Sequence, residues 1–92
     1  MSKTTAKITI ELDYPITDGE GKEIKKLEMR RAKAKDLRKM QMQKNEADQE
    51  VFLYANLTNL TFEDIDEMDI ADYHKLQKEF KSMTKGKSVL NT

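Results

Sequence analysis

Between Lys7 and Leu12 polar and apolar residues alternate without a break, and this pattern most narrows what the chain can become. Ile8, Ile10 and Leu12 point one way, while Lys7, Thr9 and Glu11 point the other. Period-two alternation over β-branched residues specifies a strand with one wet face and one covered face. Pro15 is expected to end that strand, and Asp18-Gly19-Glu20-Gly21 supplies the residues of a chain reversal. A second strand is expected from Lys22 to Arg30. Ile24 and Leu27 lie three apart, on opposite faces of an ideal strand, so a bulge near Lys25-Lys26 is needed to realign Leu27 and Met29 with Ile24. The result is an antiparallel hairpin. Two strands are unstable alone in water, so helices must cover its apolar side.

The rest of the chain carries helical spacing. Ala34, Leu37, Met40 and Gln41 mark a first helix, Lys33 to Lys44, with a basic outer side. A polar break at Asn45-Glu46 precedes a second, Ala47 to Thr58, whose apolar residues surround it almost completely. A helix apolar all round is buried on more than one side. Asn59 suits the left-handed residue that closes this helix. Two starts follow. Thr61 is a helix-capping residue with Asp64 three positions on, and Leu60 and Ile65 form a hydrophobic staple. Asp69 repeats the device with Asp72, and Met68 is stapled to Tyr73. A short helix from Phe62 to Glu67 and a final one from Ile70 to Met83 are therefore expected, the latter with a stripe of Ile70, Tyr73, Leu76 or Gln77, Phe80 and Met83. The predicted fold class is α+β: an N-terminal antiparallel β-hairpin followed by three to four short helices packed on it. Residues 1–83 form one domain, and a polar, frayed tail is expected over 84–92. The predicted core holds Ile8, Ile10, Ile24, Leu27, Leu37, Leu53, Leu57, Ile65, Leu76 and Phe80.

At 92 residues the domain is thin, with limited surface to bury. Without cysteine it has neither disulfides nor thiolate-bound zinc, and its one histidine, His74, leaves no His-based triad or ligand set. An EF-hand loop counted from Asp64 would need Gly at its sixth position and Glu at its twelfth; Asp69 and Lys75 stand there. No catalytic residue, metal or cofactor is expected. No apolar run reaches the ~18 residues of a membrane span, and no signal-peptide core follows Met1-Ser2-Lys3-Thr4, so a cytoplasmic location is expected.

Zero net charge conceals a division. Residues 1–45 hold 12 Lys/Arg against 7 Asp/Glu, and residues 46–92 hold 5 against 10. Lys22 to Lys44 is strongly basic but contains no aromatic residue on which a base could stack, so nucleic acid is not the expected partner. Phe52 lies off the Leu53/Leu57 side of its helix, and Tyr73, Phe80 and Met83 line the last one. These four are the candidate protein-binding residues, for an amphipathic partner helix or another copy of the chain.

In order along the chain stand Ile8-Thr9-Ile10, Pro15-Ile16, Gly21-Lys22-Glu23-Ile24 and Leu27-Glu28-Met29-Arg30. Lys35-Asp36-Leu37, Leu57-Thr58-Asn59-Leu60-Thr61, Ile65 with Met68, and Asp72-Tyr73 before Leu76-Gln77 follow. In this order and spacing the sequence resembles the small tail assembly chaperones of Mu-like, contractile-tailed phages and prophages, over residues 6–80. It departs from that pattern at Ala32-Lys33, where the family often has a Pro-Thr helix start, and at Asn59, where it often has Gly. The resemblance implies a chaperone that binds the tape measure protein and keeps it soluble until the tail tube forms around it. It further implies contact with the tail tube protein through a longer, frameshifted form, and absence from the finished virion. A small basic nucleic-acid-binding regulator and a structural tail component are the alternative readings.

Overall fold

The computed structural model describes residues 7–84. Two strands, β1 (Lys7–Thr17) and β2 (Glu23–Arg30), pair antiparallel. Four helices follow: α1 (Ala34–Met40), α2 (Glu46–Thr58), α3 (Phe62–Asp66) and α4 (Ile70–Met83). The α+β architecture is the one expected. Of the expected tail, all but Thr84 lies outside the described residues.

The reversal is built by Asp18 and Gly21. The Asp18 carboxylate accepts the N–H of Glu20 (2.8 Å) and of Lys22 (3.0 Å), and Asp18 N–H closes the loop onto the Lys22 carbonyl at 2.9 Å. Gly21 sits at φ 84°, where a side chain would be strained.

Strand β1 differs from expectation in two linked ways. It runs through Pro15 to Thr17 instead of ending there. The irregularity also lies in β1, not at Lys25-Lys26: Glu11 pairs with Lys26 and Ile16 with Ile24, so five steps along β1 match two along β2. The residues between are looped out of the ladder. Proline is tolerated there because no ladder hydrogen bond is lost. The displacement places Ile16 in the core beside Ile10, Leu12, Leu27 and Met29.

Helix α4 packs on β1 and α2 on β2, sealing the apolar side of the hairpin with Leu53, Tyr54, Leu57, Leu76 and Met83. Ile65 and Met68 close the end near α3. Leu57, 2 % exposed, alone contributes about 1.5–3 kcal/mol by burial. Of the predicted core, Ile8, Ile24 and Phe80 are only partly buried. Leu37 is a correction: it is 40 % exposed, because α1 stops at Met40 instead of Lys44 and carries Leu37 at the rim of the core. Ile70, expected on the α4 stripe, is exposed at the helix's first turn.

The caps are as written in the sequence, with one difference. Thr61 accepts the Asp64 N–H (3.1 Å) and Asp64 accepts the Thr61 N–H (3.2 Å), a reciprocal box. Asn59 closes α2 at φ 62°, and Leu60 N–H reaches back to the Ala55 carbonyl. Asp69 caps α4 through the Ala71 N–H (2.9 Å), but Asp72 does not return to complete a box. It is committed elsewhere.

Candidate functional site

Two buried carboxylates frame the helical face. Asp72, fully buried, accepts the backbone N–H of Asp13 at 2.8 Å and of Tyr14 at 3.0 Å. It thus supplies partners to the looped-out stretch of β1, which the β2 ladder cannot reach. Lys75 adds to the tie, with Nζ 2.8 Å from the Glu11 carbonyl and 3.4 Å from Asp72. Burial pushes the Asp72 carboxyl upward, but these donors outweigh it and hold its pKa below the ordinary value. Asp36, also buried, receives both guanidinium nitrogens of Arg30 at 2.9 Å and the Lys33 N–H at 2.8 Å. The Arg30 hydrogen bonds lower it to about 2, against the opposing effect of burial. This bidentate pair fixes the start of α1 to the end of β2.

Both acids escape a reading by helix spacing. Asp36 and Asp72 stand at third helical positions, where a carboxylate is expected for local reasons, and nothing in the spacing announces a distant donor. Their presence in Lys35-Asp36-Leu37 and Asp72-Tyr73, two stretches of the family resemblance, was the available signal.

The four candidate protein-binding residues fall in two places. Tyr54 on α2 stands edge-on between two rings of α4, with Tyr73 at 5.6 Å and Phe80 at 6.0 Å between centroids. Tyr54 hydroxyl donates to Glu50 at 3.0 Å, and Gln77 donates to the same carboxylate at 2.9 Å. Burial, and after it the Glu50 charge, pushes the Tyr54 and Tyr73 phenols well above their ordinary pKa. Such phenols stay protonated and act as packing groups. Phe52 projects from α2 about 200° away from Tyr54 and meets Phe62 of α3 at 6.3 Å. Phe52 therefore does not join the Tyr73 and Phe80 rings.

Met83 is buried, and its sulfur lies 3.2 Å from the Ala32 N–H. Together with Phe80 it reaches a groove of about 350 Å³ between α1 and the end of α4, where Ala32, Ala34 and Leu37 form the other wall. Arg31 and Lys33 line the same groove, and Arg31 donates to the Met83 carbonyl at 3.3 Å. A second hollow along α1 is lined by Lys35, Arg38, Lys39 and the exposed Met42. Among the described residues no group of three His, Cys, Asp or Glu side chains is placed to hold a metal ion. No described helix is long and apolar enough to cross a membrane. What the surface offers is apolar relief edged with charge, the chemistry of protein contact.

No curated protein and no solved structure matches the chain. A family model described as phage tail assembly chaperone proteins, E, or 41 or 14, matches residues 9–85. That span takes in β1 from Thr9 onward, β2, all four helices, and the Arg30–Asp36 and Asp72–β1 ties that hold them together. The chain belongs to the phage tail assembly chaperone family.

Proposed function

We propose that this chain binds the tape measure protein of a Mu-like, contractile-tailed phage or prophage and keeps it soluble until the tail tube forms around it. The observation that carries this reading is the family match over residues 9–85. The family is one of assembly proteins and not a known enzyme class. Supporting the reading physically, Phe52 and Phe62 stand half-buried on the α2–α3 side, where an amphipathic client helix would complete their burial. On this reading the chain works in the host cytoplasm, is left out of the finished virion, and meets the tail tube protein through a longer frameshifted form.

Co-expression tests it. The tape measure protein should be largely insoluble when made alone and soluble, in a complex of defined mass, when made with this chain. A tape measure protein that stays insoluble beside it, or needs no help, would overturn the reading. Mass spectrometry of purified particles separates chaperone from structural tail component, since only the latter would be retained. The cations of α1 favour one rival, a nucleic-acid-binding regulator. That rival requires binding to fall steeply as salt rises, whereas an apolar client contact does not.

A further inference from the structure

The two apolar surfaces, the α1–α4 groove and the Phe52–Phe62 side, differ sharply in the charges around them. Helix α1 is oriented by its carboxylate: Asp36 turns inward to Arg30, and Leu37, one 100° step further round, is left 40 % exposed. Leu37, Ala34 and Phe80 give the groove of about 350 Å³ its apolar floor. Arg31 and Lys33 line it too, and Arg31 is held there by donating to the Met83 carbonyl at 3.3 Å. Lys35, Arg38 and Lys39 line the adjoining hollow. No acidic side chain lines either, and among the described residues none of these five cations is in an ion pair. Glu79, next to Phe80 in the chain, lines a different hollow, against β1. By contrast the stretch that carries Phe52 and Phe62, from Glu46 to Asp72, is rich in acids and contains no Lys or Arg.

We propose that the α1–α4 groove docks an amphipathic helix of a partner protein whose apolar stripe is flanked by Asp or Glu. Aliphatic side chains of such a helix cover Leu37 and Phe80, and its carboxylates answer the five cations that have no acidic partner within the chain. Leu37 and Phe80 stand on helices whose backbone groups are bonded internally, so an extended segment finds no ladder there, whereas a helix satisfies its own backbone. A nucleic-acid backbone would answer the charge and leave Leu37 and Phe80 bare. Rim charges of one sign add selectivity to the affinity of the apolar floor. An acid-flanked helix is drawn to this groove and repelled by the acids of the α2–α3 stretch, so charge decides which apolar surface a given segment takes. The identity of the partner rests on the chaperone reading, on which the helix belongs to the tape measure protein.

Three stapled helical peptides of ~15 residues test it, alike in a leucine stripe and flanked by Glu, Gln or Lys. In anisotropy titrations with the full chain at low salt, the Glu peptide should bind roughly tenfold more tightly than the Lys peptide, with the Gln peptide between. Raising salt should narrow that gap and leave the Gln peptide unaffected. Leu37→Glu should weaken the Glu and Gln peptides. Arg38→Glu, on an exposed position, should erase the preference for Glu over Lys while the Gln peptide still binds and the circular dichroism melt stays that of the parent. Should Leu37→Glu unfold, Arg38→Glu alone carries the test. No binding, equal binding of the Glu and Lys peptides, or a preference that survives Arg38→Glu would each overturn the proposal. Displacement of the Glu peptide by a single-stranded oligonucleotide, with Leu37→Glu without effect, would assign the cations to nucleic acid instead. Oligomers of the chain that dissociate as the Glu peptide is added would assign the groove to a second copy, and also overturn it. Co-expression separates this inference from the chaperone reading. If the parent solubilises the tape measure protein and Arg38→Glu does so equally well, the groove fails and the reading stands. If the peptide preference holds while the tape measure protein stays insoluble beside the parent, the groove stands and the reading fails.

Discussion

A single carboxylate, Asp72, does for the middle of β1 what a third strand would do in a larger sheet. Residues that leave a ladder expose N–H groups that still need acceptors, and a buried unpaired donor costs about 1–3 kcal/mol. Asp72 takes two of them, from Asp13 and Tyr14. Asp72→Asn keeps the volume but offers one acceptor oxygen, and turns an N–H donor toward the other site. We expect it to cost roughly 2–4 kcal/mol, read as a lower urea midpoint at an unchanged slope. A loss under ~0.5 kcal/mol would show that the two N–H groups find other partners. The same residue marks the limit of sequence reading at this scale. The alternation of Ile8, Ile10 and Leu12 is a local pattern, so it announced its strand. Asp72 acts across 59 residues of chain, and at its own address it looks like an ordinary helix-start acid. Pro15 misleads for the same reason: proline ends a strand only where its missing donor would have been used.

At the scale of elements, the helices with written caps were the legible ones. Thr61 and Asp69 set the starts of α3 and α4, and Asn59 the end of α2, from side-chain chemistry two or three residues away. Helix α1 has no such signal. Its capping position is Lys33, and what holds it is Arg30 on the preceding strand, gripping Asp36. Seven residues are too few for a helix to persist unaided. This tie makes α1 acid-sensitive. The folded Asp36 pKa lies at about 2, below the ordinary 3.8, so its contribution is complete above pH ~4 and lost as pH falls toward 2. The span corresponds to about 2 kcal/mol. Asp72, also lowered, shifts stability in the same sense. Urea unfolding between pH 5 and pH 2 should show the decline, and Asp36→Asn should be less stable at pH 5 with a shallower fall. An equally steep fall in that variant would assign the acid sensitivity to other carboxylates.

Across the whole molecule, what the sequence could not show was which apolar side chains are left for a partner. Phe52 lies off the apolar side of its helix and Phe80 on the stripe of its own, yet both are only partly buried, one against α3 and the other lining the α1 groove. Phe52→Asp should leave the domain folded, because the ring is only half-buried, and should weaken tape measure binding at least tenfold in a pull-down titration. Unchanged binding would remove Phe52 from the client surface. The looped-out stretch of β1 has one more consequence at this scale. A two-stranded sheet is all edge, and an open edge invites the strand of any unfolded chain to join it. A protein that handles aggregation-prone segments would be exposed to that hazard continually. Along β1, however, residues 13 and 14 have surrendered their N–H groups to Asp72, and residue 15 is a proline with none to give. Three consecutive positions offer an incoming strand no donor, so it would find its ladder interrupted halfway. The β1 edge thereby resists templated β-growth over this stretch.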